Sequence, residues 1–406
     1  MSDKNQEYKK TEIGKLPSEW EIKSIGDIGE IITGSTPKIT YDFIDKVQHL
    51  WVSPADMGNK KYIRDTVKKL NNSSFNKTRI LPKGSILVTC IGSTIGKIGI
   101  AGDELSTNQQ INSIVCSERY NNEYIYYVID YNFNNYMRFI SSQAVPIINK
   151  TTFSKFKIQI PRIEEQEKIA EILSTWDLAI EKQEQLIEMK KEFKKGLMQR
   201  LLSGEVRFKE FTDKWKPLMI KDIANSISEL NKADEELIVL SCTKYDGLVE
   251  SLKYFGKQMF SDDTSKYKKI WKNDFAYATN HIEEGSIGVQ RICDVGLVSP
   301  MYTVFRVDDE IVDIDYLFYL LKTERYISIY KSRMCASVDR RGSLRWPEFS
   351  KIKLILPSIE EQKRITEVLK SADKEIELLE KELEALKLQK KDLMQRLLTG
   401  EVRVKV

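Results

Sequence analysis

Histidine is almost missing from this 406-residue chain: His49 and His281 are the only two, and neither has a Cys or His neighbour at ligand spacing, which argues against a metal site. Cysteine is sparse as well. Cys90, Cys116, Cys242, Cys293 and Cys335 lie far apart and never form CxxC, the pattern of reduced thiols in a cytosol rather than of a disulfide frame. No run of about 18 apolar residues occurs and no signal peptide opens the sequence, so a soluble, cytoplasmic protein with no membrane association is expected. No Pro-Pro pair occurs, which removes the N/D-P-P-Y/F tetrapeptide with which an adenine-directed methyltransferase would hold a flipped base. The glycine-rich stretch Ile91–Gly99 has Ile91 where a phosphate loop needs its first glycine and Ile98 after its lysine, so it reads as a turn between strands. A large charge of one sign is missing too, since Lys+Arg 64 against Asp+Glu 60 leaves +4. These absences point to a chain that performs no chemistry of its own and binds no cofactor.

What is present is a repeat. The segment Pro161–Arg207 returns without a gap as Pro357–Arg403, about half of its residues identical. Two copies are too few for a solenoid and imply an internal pseudo-two-fold. Both copies read as long helices. In the second, Ile365, Ala372, Leu379, Leu386 and Leu393 recur every seven residues beside the row Leu369, Ile376, Leu383, Lys390 and Leu397, which is a coiled-coil seam. The first copy has the rows Ile169, Trp176, Gln183, Lys190, Leu197 and Leu173, Ile180, Ile187, Lys194, Leu201, with polar interruptions of the kind that set register and partner. Pro161 and Pro357 precede the helices, Glu164-Glu165 and Glu360-Glu361 suit the positive end of the helix dipole, and Gly204 and Gly400 stop them. Each helix should span roughly 40 residues, about 60 Å. The near-balance of charge within both copies leaves the small basic excess outside them. Pairing within one chain and pairing between two chains are both compatible with the seam.

The segments before the helices are a second, more diverged repeat. Trp20, Ile25 and Asp27-Ile28 align with Trp215, Ile220 and Asp222-Ile223, the region from Gly84 resembles that from Asn273, and Phe153–Ile158 matches Phe349–Leu354 directly before each helix. Apolar runs at Ile86–Val88, Ile98–Ile100, Ile111–Val115, Phe156–Ile160, Leu237–Leu240 and Tyr302–Val307 read as strands. Tyr124–Asp130 and Tyr316–Lys322 read as short helices with packed tyrosines. The expected fold is α+β: two β-rich domains, residues 1–160 and 208–356, separated by two long helices, 161–207 and 357–406, paired antiparallel as a coiled coil. Frame and ends agree between the copies while interiors differ, as expected of two specificity surfaces on one scaffold.

The opening YKKTEIGKLPSEWEI, the P-x-I-E-E-Q-x-x-I helix starts and the L-M-Q-R-L-L-[ST]-G-E-V-R helix ends resemble the specificity subunit of bacterial type I restriction-modification systems, and the likeness covers essentially the whole chain. The resemblance implies two target recognition domains, each reading one half of a bipartite site on double-stranded DNA, and helices that act as a spacer. It also implies two modification subunits, adenine methyltransferases carrying S-adenosylmethionine, and room for two restriction subunits using ATP and Mg. The work would be done at the nucleoid. Two other classes stand beside this one: a coiled-coil tether, which the duplicated globular frame opposes, and a self-sufficient DNA-modifying enzyme, which the missing motifs oppose.

Contact with DNA calls for Lys, Arg and backbone amides on phosphates, and for Asn, Gln, Arg, Ser or Thr at base edges. In the first domain the candidates are Ser93, Thr94 and Lys97, the run Asn108, Gln109, Gln110 and Asn112, and Asn149-Lys150. In the second they are His281, Gln290, Arg291, Tyr302 and the arginines Arg340, Arg341 and Arg345 around Gly342. Asn and Gln suit adenine, and arginine suits guanine or phosphate.

Overall fold

The computed structural model describes residues 7–37, 48–58, 60–139, 146–232, 235–335 and 342–405. The chain divides into two compact units, Met1–Glu184 together with Lys381–Val406, and Gln185–Glu380. Each unit therefore combines one globular domain with the start of the helix that follows it and the end of the other long helix.

In the first unit a sheet runs in the order Gly29–Thr33, Ile111–Cys116, Ile86–Thr89, Ile98–Ala101, Tyr62–Ile63, antiparallel except for its last pair. A second sheet has the order Lys69–Leu70, His49–Val52, Leu105–Thr107, Ile80–Leu81, with its central pair parallel. Val52, Met57, Leu81, Leu87, Leu105 and Ile111 form the core between them. On the other side of the first sheet lies the helix Asn122–Tyr136, capped by the Asn121 side chain, with Tyr124, Tyr127 and Val128 fully buried. Its 15 residues exceed the short helix expected at Tyr124–Asp130.

The second unit repeats this plan. Its sheets run Ala224–Ile227, Tyr302–Val307, Phe275–Ala278, Ile287–Val289, and Gly247–Glu250, Val239–Thr243, Val295–Val298, Lys268–Trp271, again with a parallel pair at the centre of the second. The helix Ile314–Leu321, capped by Asp313, stands where Asn122–Tyr136 stands in the first, and a further helix Glu324–Cys335 follows it. A two-stranded pair joins the entry and exit of each domain, Glu21–Ser24 with Lys157–Ile160 and Lys216–Met219 with Lys353–Leu356.

The repeated segments are helices Ile163–Ser203 and Ile359–Leu398, of 41 and 40 residues. Every one of the twenty heptad positions is buried or half-buried, the polar ones included. Within the first unit Lys390 pairs with Asp177, Gln183 with Glu382 and Lys387 with Glu184. Within the second, Lys194 pairs with Asp373, Lys190 with Glu375 and Lys191 with Glu380. In each unit the order reverses across a turn or more, Asp177 with Lys390 against Gln183 with Glu382 and Lys190 with Glu375 against Lys194 with Asp373, so the helices run antiparallel and pair within one chain. The seam residues at the helix ends have a second task that heptad spacing does not reveal. Ile169, Leu173 and Leu397 belong to the core of the first domain and Leu201, Ile365 and Leu369 to that of the second, together with the neighbouring Ala170, Leu398 and Leu202.

Candidate nucleic-acid interface

The geometry begins at the joint between domain and helix, because that joint aims whatever the domain presents. Glu165, 3% exposed, accepts from Arg403 Nε and Nη2 at 2.6 and 2.8 Å and from Trp20 Nε1 at 3.1 Å. In the second unit Glu361 accepts from Arg207 at 2.9 and 2.8 Å and from Trp215 Nε1 at 3.2 Å. Both carboxylates lie in the first helical turn, so the dipole reading holds for their position. Their main partner, however, is an arginine from the end of the other copy. Gln166 and Gln362 complete the joint: each donates to the carbonyl of Pro161 or Pro357 and accepts from the backbone N–H of Asn121 or Asp313, the N-cap residues of the domain helices. The E-E-Q and G-E-V-R motifs are thus two halves of one clasp. About three turns further along each helix, Tyr127 donates to Asp177 and Tyr319 to Asp373, and burial together with these carboxylates pushes both phenols well above their ordinary value.

In the first domain the turn Ile91–Lys97 leaves the central sheet between Ile86–Thr89 and Ile98–Ala101. Gly92 and Gly96 both have φ +95°, and a side chain at Gly96 would meet the Phe133 ring at 2.8 Å. This turn lies against the segment entering the last helix of the domain: Gly92 N donates to Pro146 O and Ile148 N to Cys90 O. On its other side Cys90 N donates to Gln110 O, and the Gln110 amide reaches Ile91 O at 3.4 Å. Ser93, Thr94, Gln109, Gln110, Asn149 and Lys150 are thereby gathered on one rim of the sheet, with Ser93, Gln109, Asn149 and Lys150 exposed. Lys97 is half-buried, its ammonium 3.4 Å from Pro54 O. Asn149 also caps the helix Lys150–Lys155 through Thr152 N.

The second domain builds the equivalent rim from the loop after Phe275–Ala278. There Leu344 N donates to Thr279 O at 2.8 Å, the counterpart of the Ile148–Cys90 bond, and Tyr302 pairs with Ala278 in the sheet. His281 and Arg345 are exposed on this rim, Arg345 at the N-cap of the short helix Trp346–Phe349. Arg340 and Arg341 lie outside the described residues.

Not every candidate reaches a rim. Asn112 sits in the central strand, 3% exposed, accepting from Thr33 Oγ1, and Asn108 is 7% exposed and clasps Gln110. Gln290 is fully buried, with its amide donating to Cys293 Sγ and its carbonyl accepting from Ile292 N. The Tyr302 hydroxyl accepts from Cys242 N. Asn108, Asn112 and the half-buried Tyr302 support their rims from within, while Gln290 lies at the Phe275 end of its strands, away from the His281 rim. Arg291 is exposed but stands at the opposite end of the strands from His281, bonded to Asn273 and Asp315. The network Lys61–Tyr62–Glu123–Ser174 and the clasp glutamates were missed as site-forming residues. For the clasp a signal existed, since Trp, Glu and Arg recur in both copies. Among the described residues one cluster could hold a metal, His281, Glu283 and Glu284, and two of the three are exposed.

The family model for the type I restriction modification DNA specificity domain matches the sequence twice, over residues 17–190 and 212–388. The specificity subunit of the type I restriction enzyme MjaVIII from Methanocaldococcus jannaschii is 28% identical over 99% of this chain and 97% of that protein. A crystal structure of a type I restriction-modification S subunit from M. genitalium has the same fold, with a TM-score of 0.54 at 16% identity over 93% of this chain and 96% of that one. A chain from a structure of type I R-M complex assembly and conformational transition gives a TM-score of 0.58 at 13% identity over 95% of this chain and 99% of its own length.

Proposed function

Because the chain belongs to the type I restriction modification DNA specificity family, we propose that it is the DNA-recognition subunit of a type I restriction-modification complex, each domain reading one half of a bipartite duplex site. The observation that carries this reading is the pair of equivalent rims. Each is placed by the same strand-to-exit hydrogen bond, each is polar, and each is furnished with different side chains, Ser93, Gln109, Asn149 and Lys150 in one and His281 and Arg345 in the other. One frame with two unlike surfaces suits two unlike half-sites. Exposed lysine and arginine hold phosphates, and exposed amide, hydroxyl and guanidinium groups reach base edges.

The two long helices serve as the spacer between half-sites and as the platform for two adenine methyltransferase subunits. Those subunits supply S-adenosylmethionine and flip the target base, while restriction subunits, where they join, bring ATP and Mg. This chain positions and does not catalyse, working in the cytoplasm at the nucleoid. The test is to incubate the purified chain with labelled S-adenosylmethionine and DNA, alone and with its modification subunits. Label transfer only in the mixture is expected; transfer by the chain alone would overturn the non-catalytic role.

A further inference from the structure

Beside the His281 rim stands a turn that charge counting and motif reading pass over. The hairpin Val239–Thr243 to Gly247–Glu250 reverses through Lys244-Tyr245-Asp246, with Gly247 at φ +69°. Tyr245 is 79% exposed, among the most exposed large side chains of the unit, and Lys244 Nζ lies 5.2 Å from its ring centroid. The turn is locked to the rim loop by backbone contact. A side chain at Gly288 would come within 2.4 Å of Leu248 N, and one at Gly285 within 3.7 Å of Lys244 O. A single half-buried ammonium spans the two: Lys322 Nζ donates to Lys244 O at 2.7 Å and to Gly285 O at 2.9 Å. Partial burial holds that ammonium below its ordinary pKa, and both of its hydrogen-bond acceptors are main-chain carbonyls. Lys322 therefore fixes one piece of backbone relative to another.

We propose that the Lys244–Asp246 turn is a DNA-contacting element of the second domain, with Lys244 on a phosphate and the Tyr245 ring against a base, and that Lys322 is the positioning residue that sets this turn beside the His281 loop. The inference rests on the DNA-recognition reading above. The chemistry of the patch selects nucleic acid. Tyr245 is followed by Leu252, Tyr254 and Phe255, 53%, 50% and 43% exposed, interleaved with Lys253 and Lys257. Aromatic faces among cations stack on bases and neutralise phosphates. The one carboxylate at the tip, Asp246, is engaged by the Tyr254 hydroxyl at 2.9 Å.

The test uses the chain assembled with its modification subunits and a duplex carrying the methylated site, with affinity read by fluorescence anisotropy across a salt series. Lys244→Ala should lower the slope of log affinity against log salt by about 0.9, one phosphate contact. Tyr245→Ala should weaken binding roughly tenfold at fixed salt with the slope unchanged. Both side chains are exposed, so melting should stay at the wild-type value. Lys322→Met should weaken binding and Lys322→Arg restore it. Wild-type affinity and slope in both tip variants, alongside a weakened Arg345→Ala complex, would overturn the turn's role and leave the recognition reading intact. Loss of assembly with the modification subunits in Tyr245→Ala would make the patch a protein-docking surface and overturn it equally. A wild-type complex with no salt-dependent site preference would remove the recognition reading itself, and this inference with it.

Discussion

Removing Glu165 probes the joint on which the first domain is mounted. Its carboxylate is 3% exposed and holds three donors, two from Arg403 and one from Trp20. In Glu165→Ala the indole N–H of Trp20, itself 1% exposed, loses its acceptor, which costs about 1–3 kcal/mol. Arg403 loses a bidentate partner. Breaking a buried pair costs about 3–5 kcal/mol, but the Arg403 side chain is 27% exposed and keeps Glu19 at 2.5 Å, so the lower end applies. A total near 4 kcal/mol follows, equivalent to roughly 8–16 °C of melting temperature at 2–4 °C per kcal/mol for a unit of this size. Arg403→Ala should be comparably costly because it strands the buried carboxylate. The decisive quantity is the coupling measured by urea unfolding of the two single variants and the double one. The double variant should be about 2 kcal/mol less destabilised than the sum of the singles. Additive costs within about 0.5 kcal/mol would show that the clasp is not the unit described, whatever the single values are.

The remaining expectations follow from other parts of the fold. Burial raises the phenols of Tyr124, Tyr136, Tyr316 and Tyr330 above their ordinary value, so the stability they carry is whole below the unfolded value near 10 and is lost as pH rises toward the folded values. Each withdraws about 1.4 kcal/mol per pH unit in that window, and tyrosinate absorbance should rise together with unfolding; flat stability up to pH 12 would contradict their burial. Gly400 has φ +69°, and a side chain there would come 2.4 Å from Pro17 Cγ, whereas one at Gly204 would come 3.2 Å from the Trp215 ring. Gly400→Ala should therefore destabilise more than Gly204→Ala, by about 1–2 kcal/mol in denaturant melts, and the reverse order would refute the packing described. Inserting one heptad after Glu184 and one after Glu380 keeps the seam in phase and adds about 10 Å of helix. The methylated site should then gain about three base pairs in its gap with both half-sites unchanged, at 3.4 Å per base pair; altered half-site letters would mean that the helices do not act as the spacer.

The long helices were legible because heptad spacing reports a buried stripe directly, and every position on it is covered. The sheets were legible where apolar runs are strong, as at Ile86–Thr89 and Tyr302–Val307, but not the parallel pairing of His49–Val52 with Leu105–Thr107, which depends on contacts distant in sequence. The helix Glu324–Cys335 escaped notice although Tyr326, Tyr330 and Met334 form a buried stripe at four-residue spacing behind Thr323, because Ile327 and Ile329 off that stripe blur its period. The buried candidates share one physical cause. A polar residue in a strand looks exposed by type, yet Asn112 lies in a central strand and Gln290 directly follows one, and both spend their hydrogen bonds inside the domain. Glu165 read only as a helix-start carboxylate, its role in the clasp hidden because its arginine stands far along the chain.

The most direct measurement is to co-express the chain with its modification subunit in a methylation-free host and map N6-methyladenine across the genome by single-molecule sequencing. A motif of two short, unlike half-sites at a constant gap, present only when both subunits are expressed, is the predicted result. A single contiguous motif, or the same motif from the modification subunit alone, would contradict the assignment of one half-site to each domain.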